Sequence, residues 1–166
     1  MSPRKRRAVI VAGISFAVAG CSASEPDDDD EDPRYPGPTI GDTELSPAFP
    51  VALEDVETGE EAANIHYHDD GNSHWHFQPL TIPLGEVRVF TVHIRDQDGD
   101  SLPIPEMFEV DVTAEDDGPI ATTIDRDELR VEGIAESDGW LRLHLHEQNG
   151  GQWETPELDV TVEADA

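Results

Sequence analysis

The sequence predicts an all-β domain, a sandwich of about eight or nine short strands over residues 49–166. Apolar and polar residues alternate in short runs, the two-residue period of a strand with one face buried. Clusters of Asp, Gly, Asn and Pro separate the runs at turn-like intervals. No stretch of useful length carries the 3.6-residue period of a helix.

The first strand is read from Phe49, Val51 and Leu53, and Thr58-Gly59-Glu60 turns the chain after it. Residues 65–68 and 74–77 flank Asp69-Asp70-Gly71-Asn72-Ser73, a hairpin signal. Residues 86–95 form a long strand ended by Asp96-Gln97-Asp98-Gly99-Asp100. Residues 107–113 form another, closed by Asp116-Asp117-Gly118-Pro119. Strands at 129–134 and 140–146 flank Ser137-Asp138-Gly139, read as a turn. Leu158, Val160 and Val162 alternate in the last strand. Eight or nine such strands over about 115 residues suggest two packed sheets.

Residues 1–20 read as an export signal. Arg4, Lys5, Arg6 and Arg7 are followed by an uncharged run from Ala8 to Gly20, too short for the roughly 20 residues of a membrane span. Arg6-Arg7 before Val9-Ile10 resembles a twin-arginine signal. Val18-Ala19-Gly20-Cys21 resembles a lipoprotein processing box, which makes Cys21 the lipidation site and places the protein on the outer face of the cell membrane. Cys21 is the only cysteine, so neither an internal disulfide nor a thiolate metal cage is available.

Residues 21–48 read as a tether. Glu25 and the acidic run 27–32 are followed by Pro33, Pro36, Pro38 and Pro47, too little apolar surface to fold. After residue 20 the chain has six arginines, no lysine and 38 acids, a formal charge of −32. Such a surface repels itself at low salt, fits a halophilic protein and argues against nucleic acid as a partner.

Two resemblances add to this. Leu80-x-Ile82-Pro83-Leu84-Gly85-Glu86, Val92-x-Ile94-x-Asp96-x-Asp98-Gly99, Leu129-x-Val131-x-Gly133 and Gly139-x-Leu141-x-Leu143-x-Leu145 resemble bacterial immunoglobulin-like domains of surface proteins over residues 79–163. That resemblance implies an immunoglobulin-like antiparallel sandwich. Asp55-x-x-Thr58-Gly59-Glu60, His74-Trp75-His76 and Trp153-x-Thr155-Pro156 resemble exported haloarchaeal and bacterial histidine-rich lipoproteins, which implies a link to zinc.

Six of the seven histidines form three His-x-His pairs: His66/His68, His74/His76 and His144/His146; the seventh is His93. On a strand, residues i and i+2 share a face, so each pair sets two imidazoles side by side. Pairing His68 with His74 across a five-residue loop puts all four hairpin imidazoles on one face. Ile65, Tyr67, Trp75 and Phe77 then form a core layer on the other. A slip of one residue would bury histidine and expose aromatics, so the apolar pattern selects the histidine cluster. Leu141, Leu143 and Leu145 point inward, which turns His144 and His146 outward; whether they join the hairpin depends on strand order. Asp69, Asp70 and Glu147 are candidate oxygen ligands or supporting partners. Imidazole donors suit zinc, with copper(II) and nickel open.

His74-x-His76 lacks the glutamate that a cupin site would have a few residues on, and no nucleophile, phosphate or dinucleotide motif occurs. The sequence thus points to a binding protein rather than an enzyme: a metal-capturing or metal-buffering lipoprotein, with an uptake transporter as candidate partner. The competing reading is a structural or adhesive surface domain with incidental histidines. A metallohydrolase would further need an open zinc position and a carboxylate base.

Overall fold

In the computed structural model, residues 36–164 are described, and all their regular structure is β. The expected signal at 1–20, Cys21 and the tether up to residue 35 lie outside the described residues.

Fourteen strands form among the described residues. The larger sheet holds β3 (Val51–Asp55), β4 (Glu61–Tyr67), β5 (Ser73–His76), β7 (Val87–Arg95), β8 (Ser101–Leu102), β10 (Ile120–Asp125) and β11 (Glu128–Gly133). Its order is β10-β11-β7-β3-β4-β5, with β8 on β7. The second sheet holds β6 (Leu80–Pro83), β9 (Phe108–Ala114), β12 (Ser137–Glu147), β13 (Gln152–Glu154) and β14 (Leu158–Glu163). The strand β12 is its spine, pairing with β9, β13 and β14. A small hairpin, β1 (Thr39–Ile40) and β2 (Thr43–Glu44), forms a two-stranded ladder of its own.

The two sheets face each other over one core. Val51, Leu53, Ile65, Trp75, Phe90, Val92, Ile94, Leu129 and Val131 of the larger sheet are buried with Ile82, Phe108, Val110, Leu141, Leu143, Leu145, Leu158, Val160 and Val162 of the second. These are the inward half of each alternation, so burial of the apolar face sets which way every strand turns. The all-β sandwich is therefore as the sequence predicts. One pair departs from antiparallel order, since β6 runs parallel to β14.

Several local expectations are corrected. The folded body begins before residue 49. Ile40 and Leu45, assigned to the tether, are fully buried in the core. Ser46 N–H donates to the Arg95 carbonyl, and Leu45 bridges Asp96. The buried Glu147 carboxylate accepts from the Thr43 hydroxyl and the Asp42 N–H, which ties the β1–β2 turn to the end of β12. Gly41 sits in that turn at φ +59°, where a Cβ would stand 1.8 Å from the Glu147 Oε2. Glu147 is thus a structural anchor and not a ligand at the hairpin.

Ser137-Asp138-Gly139 is strand rather than turn, paired with Val162, Thr161 and Val160. Gly139 is needed for close approach, since a Cβ there would lie 2.5 Å from the Pro119 ring. Strands β6 and β10, and the two- or three-residue strands β1, β2, β8 and β13, exceed the expected eight or nine. The shortest are edge pairings with too few residues to show a period.

The resembling motifs prove to be joints. Asp55 is 3% exposed and closes the Thr58-Gly59 turn, accepting from the N–H groups of Glu57 at 2.9 Å and Thr58 at 3.1 Å and pairing with Arg88. Burial alone would raise its pKa, but the Arg88 and backbone hydrogen bonds outweigh this and hold it below the ordinary carboxylate value. Thr155 is buried; its hydroxyl accepts from the Leu143 N–H at 3.0 Å and donates to the Pro156 carbonyl. That same carbonyl receives the Trp75 indole N–H at 2.8 Å, which ties β5 to the opposite sheet.

Trp75→Phe keeps an apolar ring but removes one of the two donors to the Pro156 carbonyl, leaving the Thr155 hydroxyl, and should cost about 0.5–1.5 kcal/mol for the lost hydrogen bond in denaturant unfolding. Asp55 is a depressed acid, so its contribution is complete above about pH 4 and is lost as pH falls through the folded value. Asp55→Asn should therefore be less stable than the wild type at pH 7, with the gap shrinking in acid; a gap constant from pH 7 to pH 2 would contradict this.

Candidate metal centre

The hairpin β4–β5 carries the histidines on the outer face of the larger sheet, at its edge. Inward Ile65 pairs with inward Trp75, and outward His66 pairs with outward His74. Tyr67 pairs with Ser73 and closes a five-residue loop over residues 68–72, with the His68 N–H donating to the Asn72 carbonyl. The expected register, His68 opposite His74, is thus slipped by two residues. A two-residue slip keeps every side chain on its face, so the cluster survives it.

Donor nitrogens of His66, His74 and His76 all lie within 4.8 Å of one another. Nε2 of His76 is 3.0 Å from Nε2 of His74. His68 reaches the group from the loop side: its Nε2 is 3.2 Å from Nδ1 of His74, and its ring centroid is 4.4 Å from that of His66. His74 is exposed, while His66 and His76 are half-buried. Burial, and then the neighbouring imidazoles His68, His76 and His74, lower the His66 pKa. A lowered value favours the neutral ring, the form that binds metal.

The surroundings are partly aromatic. Phe49 stands 5.5 Å from the His66 ring and 6.3 Å from the His76 ring, centroid to centroid. Phe77, expected in the core layer, is 65% exposed at φ +62° and 6.2 Å from His76. Strand β5 ends at His76, so the alternation that would bury Phe77 stops one residue short. Tyr67 is only half-buried, beside the loop. Nothing in the sequence pattern pointed to Phe49 as a neighbour, because that contact depends on which strand lies beside β4.

Asn64, directly opposite His76, is 6% exposed; its amide donates to Glu61, which also pairs with Arg95, while its Oδ1 has no partner among the described residues. Asp70 accepts from the Asn72 backbone N–H and side-chain amide, and those bonds, the backbone one first, lower its pKa. Its oxygens shape the loop. Asp69 is exposed.

The remaining histidines stand elsewhere. His144 and His146 lie on β12 of the second sheet, turned outward between the buried leucines as expected. The outward faces of the two sheets look away from each other, so this pair does not join the hairpin. His144 contacts the Thr113 hydroxyl at 2.9 Å and Glu154 at 3.5 Å, and His146 lies 3.5 Å from Asp111. His93 on β7 shares a cross-strand row with Ala52, Asn64 and His76. Three strand spacings, about 14 Å, separate it from His76. Glu54 approaches it at 3.4 Å without hydrogen-bond geometry.

Three imidazoles with convergent donors can hold zinc, copper(II) or nickel, the set that nitrogen ligands favour. No family model matches the chain, and no curated protein matches it. Among solved structures, the chain is similar to domains 4 and 5 of the S-layer protein SbsC, at 12% identity and a TM-score of 0.38, over 75% of this chain and 97% of that one. It is also similar to domains 4–9 of the surface layer protein SbsC, at 14% identity and a TM-score of 0.39, over 74% of this chain and 24% of that one.

Proposed function

We propose that this protein is an extracytoplasmic lipoprotein that binds a divalent transition metal, zinc first, through His66, His74 and His76. The observation that carries the reading is the mutual approach of three donor nitrogens within 4.8 Å on one sheet face. A tetrahedral zinc with bonds of about 2.0–2.1 Å sets its ligand nitrogens about 3.3–3.4 Å apart, so modest side-chain motion closes the site. With Cys21 lipidated, the domain would capture or buffer metal at the outer face of the cell membrane and pass it to an uptake transporter. The formal charge of −32 after residue 20 would raise the local concentration of cations around it.

The second reading is a structural or adhesive surface domain. One observation favours it: Ile65 and Trp75, behind the histidines, are already buried in the core, with the indole bonded to the Pro156 carbonyl, so the packing of the hairpin does not call on a metal.

Calorimetric zinc titration of the full-length protein, stripped with chelator and held in high salt, separates the two. One saturable zinc per chain is expected. His74→Ala should weaken it by more than the 10–100-fold that a supporting partner is worth. His144→Ala combined with His146→Ala should leave it unchanged. Absence of saturable uptake would leave the structural reading standing.

A further inference from the structure

Four imidazoles gather at the hairpin, yet their nitrogens are not equivalent. His74 lies at the centre, with one neighbour at each ring nitrogen: His76 Nε2 at 3.0 Å from Nε2, and His68 Nε2 at 3.2 Å from Nδ1. The two nitrogens of one imidazole point to different sides of the ring, so a single ion cannot take both. The convergent set is His66, His74 and His76, and it excludes His68.

We propose that His68 is a positioning residue and not a fourth ligand, and that the bound metal therefore keeps one exchangeable coordination position. The inference rests on the metal-binding reading above. A neutral imidazole bound through Nε2 carries its proton on Nδ1. On His74 that proton faces the Nε2 of His68 at hydrogen-bond distance. His68 accepts it, which occupies the His68 Nε2 lone pair and leaves the His68 proton on Nδ1. The bond fixes the His74 tautomer and ring orientation and raises its donor strength, as outer-shell partners of metal-bound histidines do.

The loop gives His68 a defined place for this. Its N–H donates to the Asn72 carbonyl at 2.9 Å, its carbonyl accepts from the Gly71 N–H at 3.0 Å, and Asp70 braces Asn72. Gly71 reaches φ +83° in that turn, a conformation that favours glycine. Three imidazoles on an exposed sheet edge leave the fourth tetrahedral position to water or to a donor atom from another molecule. A metal held this way is exchanged by ligand substitution, as capture followed by transfer requires.

The test is long-range proton–nitrogen NMR of the nitrogen-15-labelled full-length protein loaded with zinc, joined to zinc affinities of His68→Ala and His68→Gln. The expected spectrum shows metal-bound nitrogens on His66, His74 and His76, a protonated Nδ1 on His74 and neither nitrogen of His68 on the metal. His68→Ala should weaken zinc by about 10–100-fold, and His68→Gln should recover most of this through its carbonyl oxygen. Cobalt(II)-loaded protein should change its visible spectrum when azide is added, reporting the open position. Zinc uptake with a His68 nitrogen on the metal would overturn this inference alone. Absence of zinc uptake by the wild type would overturn the metal-binding reading and this inference with it.

Discussion

Trp75 sits between two outward histidines and is itself 2% exposed, with its indole N–H bonded to the Pro156 carbonyl of the opposite sheet. This one side chain fixes the face of β5, and the face of β5 fixes where His74 and His76 stand. An edge strand has a neighbour on one side only, so without such an anchor β5 would have little to prevent fraying. The Thr155–Pro156 corner that receives the indole is held in turn by the Leu143 backbone, next to the core of β12. The candidate site on one surface of the sandwich thus depends on a polar contact through its interior.

The same logic explains why four histidines crowd together in a chain so acidic. Alternation with Ile65 and Trp75 forces His66, His74 and His76 outward, and antiparallel pairing brings the strands within imidazole reach. Loop geometry then sets His68 apart. The chemistry is set by which ring nitrogen meets which neighbour, and that in turn by a register two residues from the His68–His74 pairing expected of the hairpin.

What the sequence made legible was the choice of face. The inward leucines of β12, the inward pair Ile65 and Trp75, and the outward histidines all follow from a period of two. The register was not legible, because a two-residue slip costs the apolar pattern nothing. Phe77 was misplaced for a related reason: alternation says nothing about where a strand stops. The start of the domain was hidden because Ile40 and Leu45 are isolated apolar residues among prolines, glycines and acids, and only the packing of β1 on β12 and the bonds of Leu45 and Ser46 at the end of β7 reveal their burial. Gly139 shows the opposite error, a glycine read as a turn that serves close packing against Pro119. The separation of His144 and His146 from the hairpin required sheet order, which no local pattern encodes.

The proposed single metal position lies among three imidazoles of one hairpin. It is tested most directly by anomalous diffraction at the zinc edge from crystals of the protein grown with zinc. One peak is expected, bounded by His66, His74 and His76, with ligand distances of about 2.0–2.1 Å. A zinc-loaded crystal with its peak at His144 and His146, or with none at the hairpin, would contradict the account.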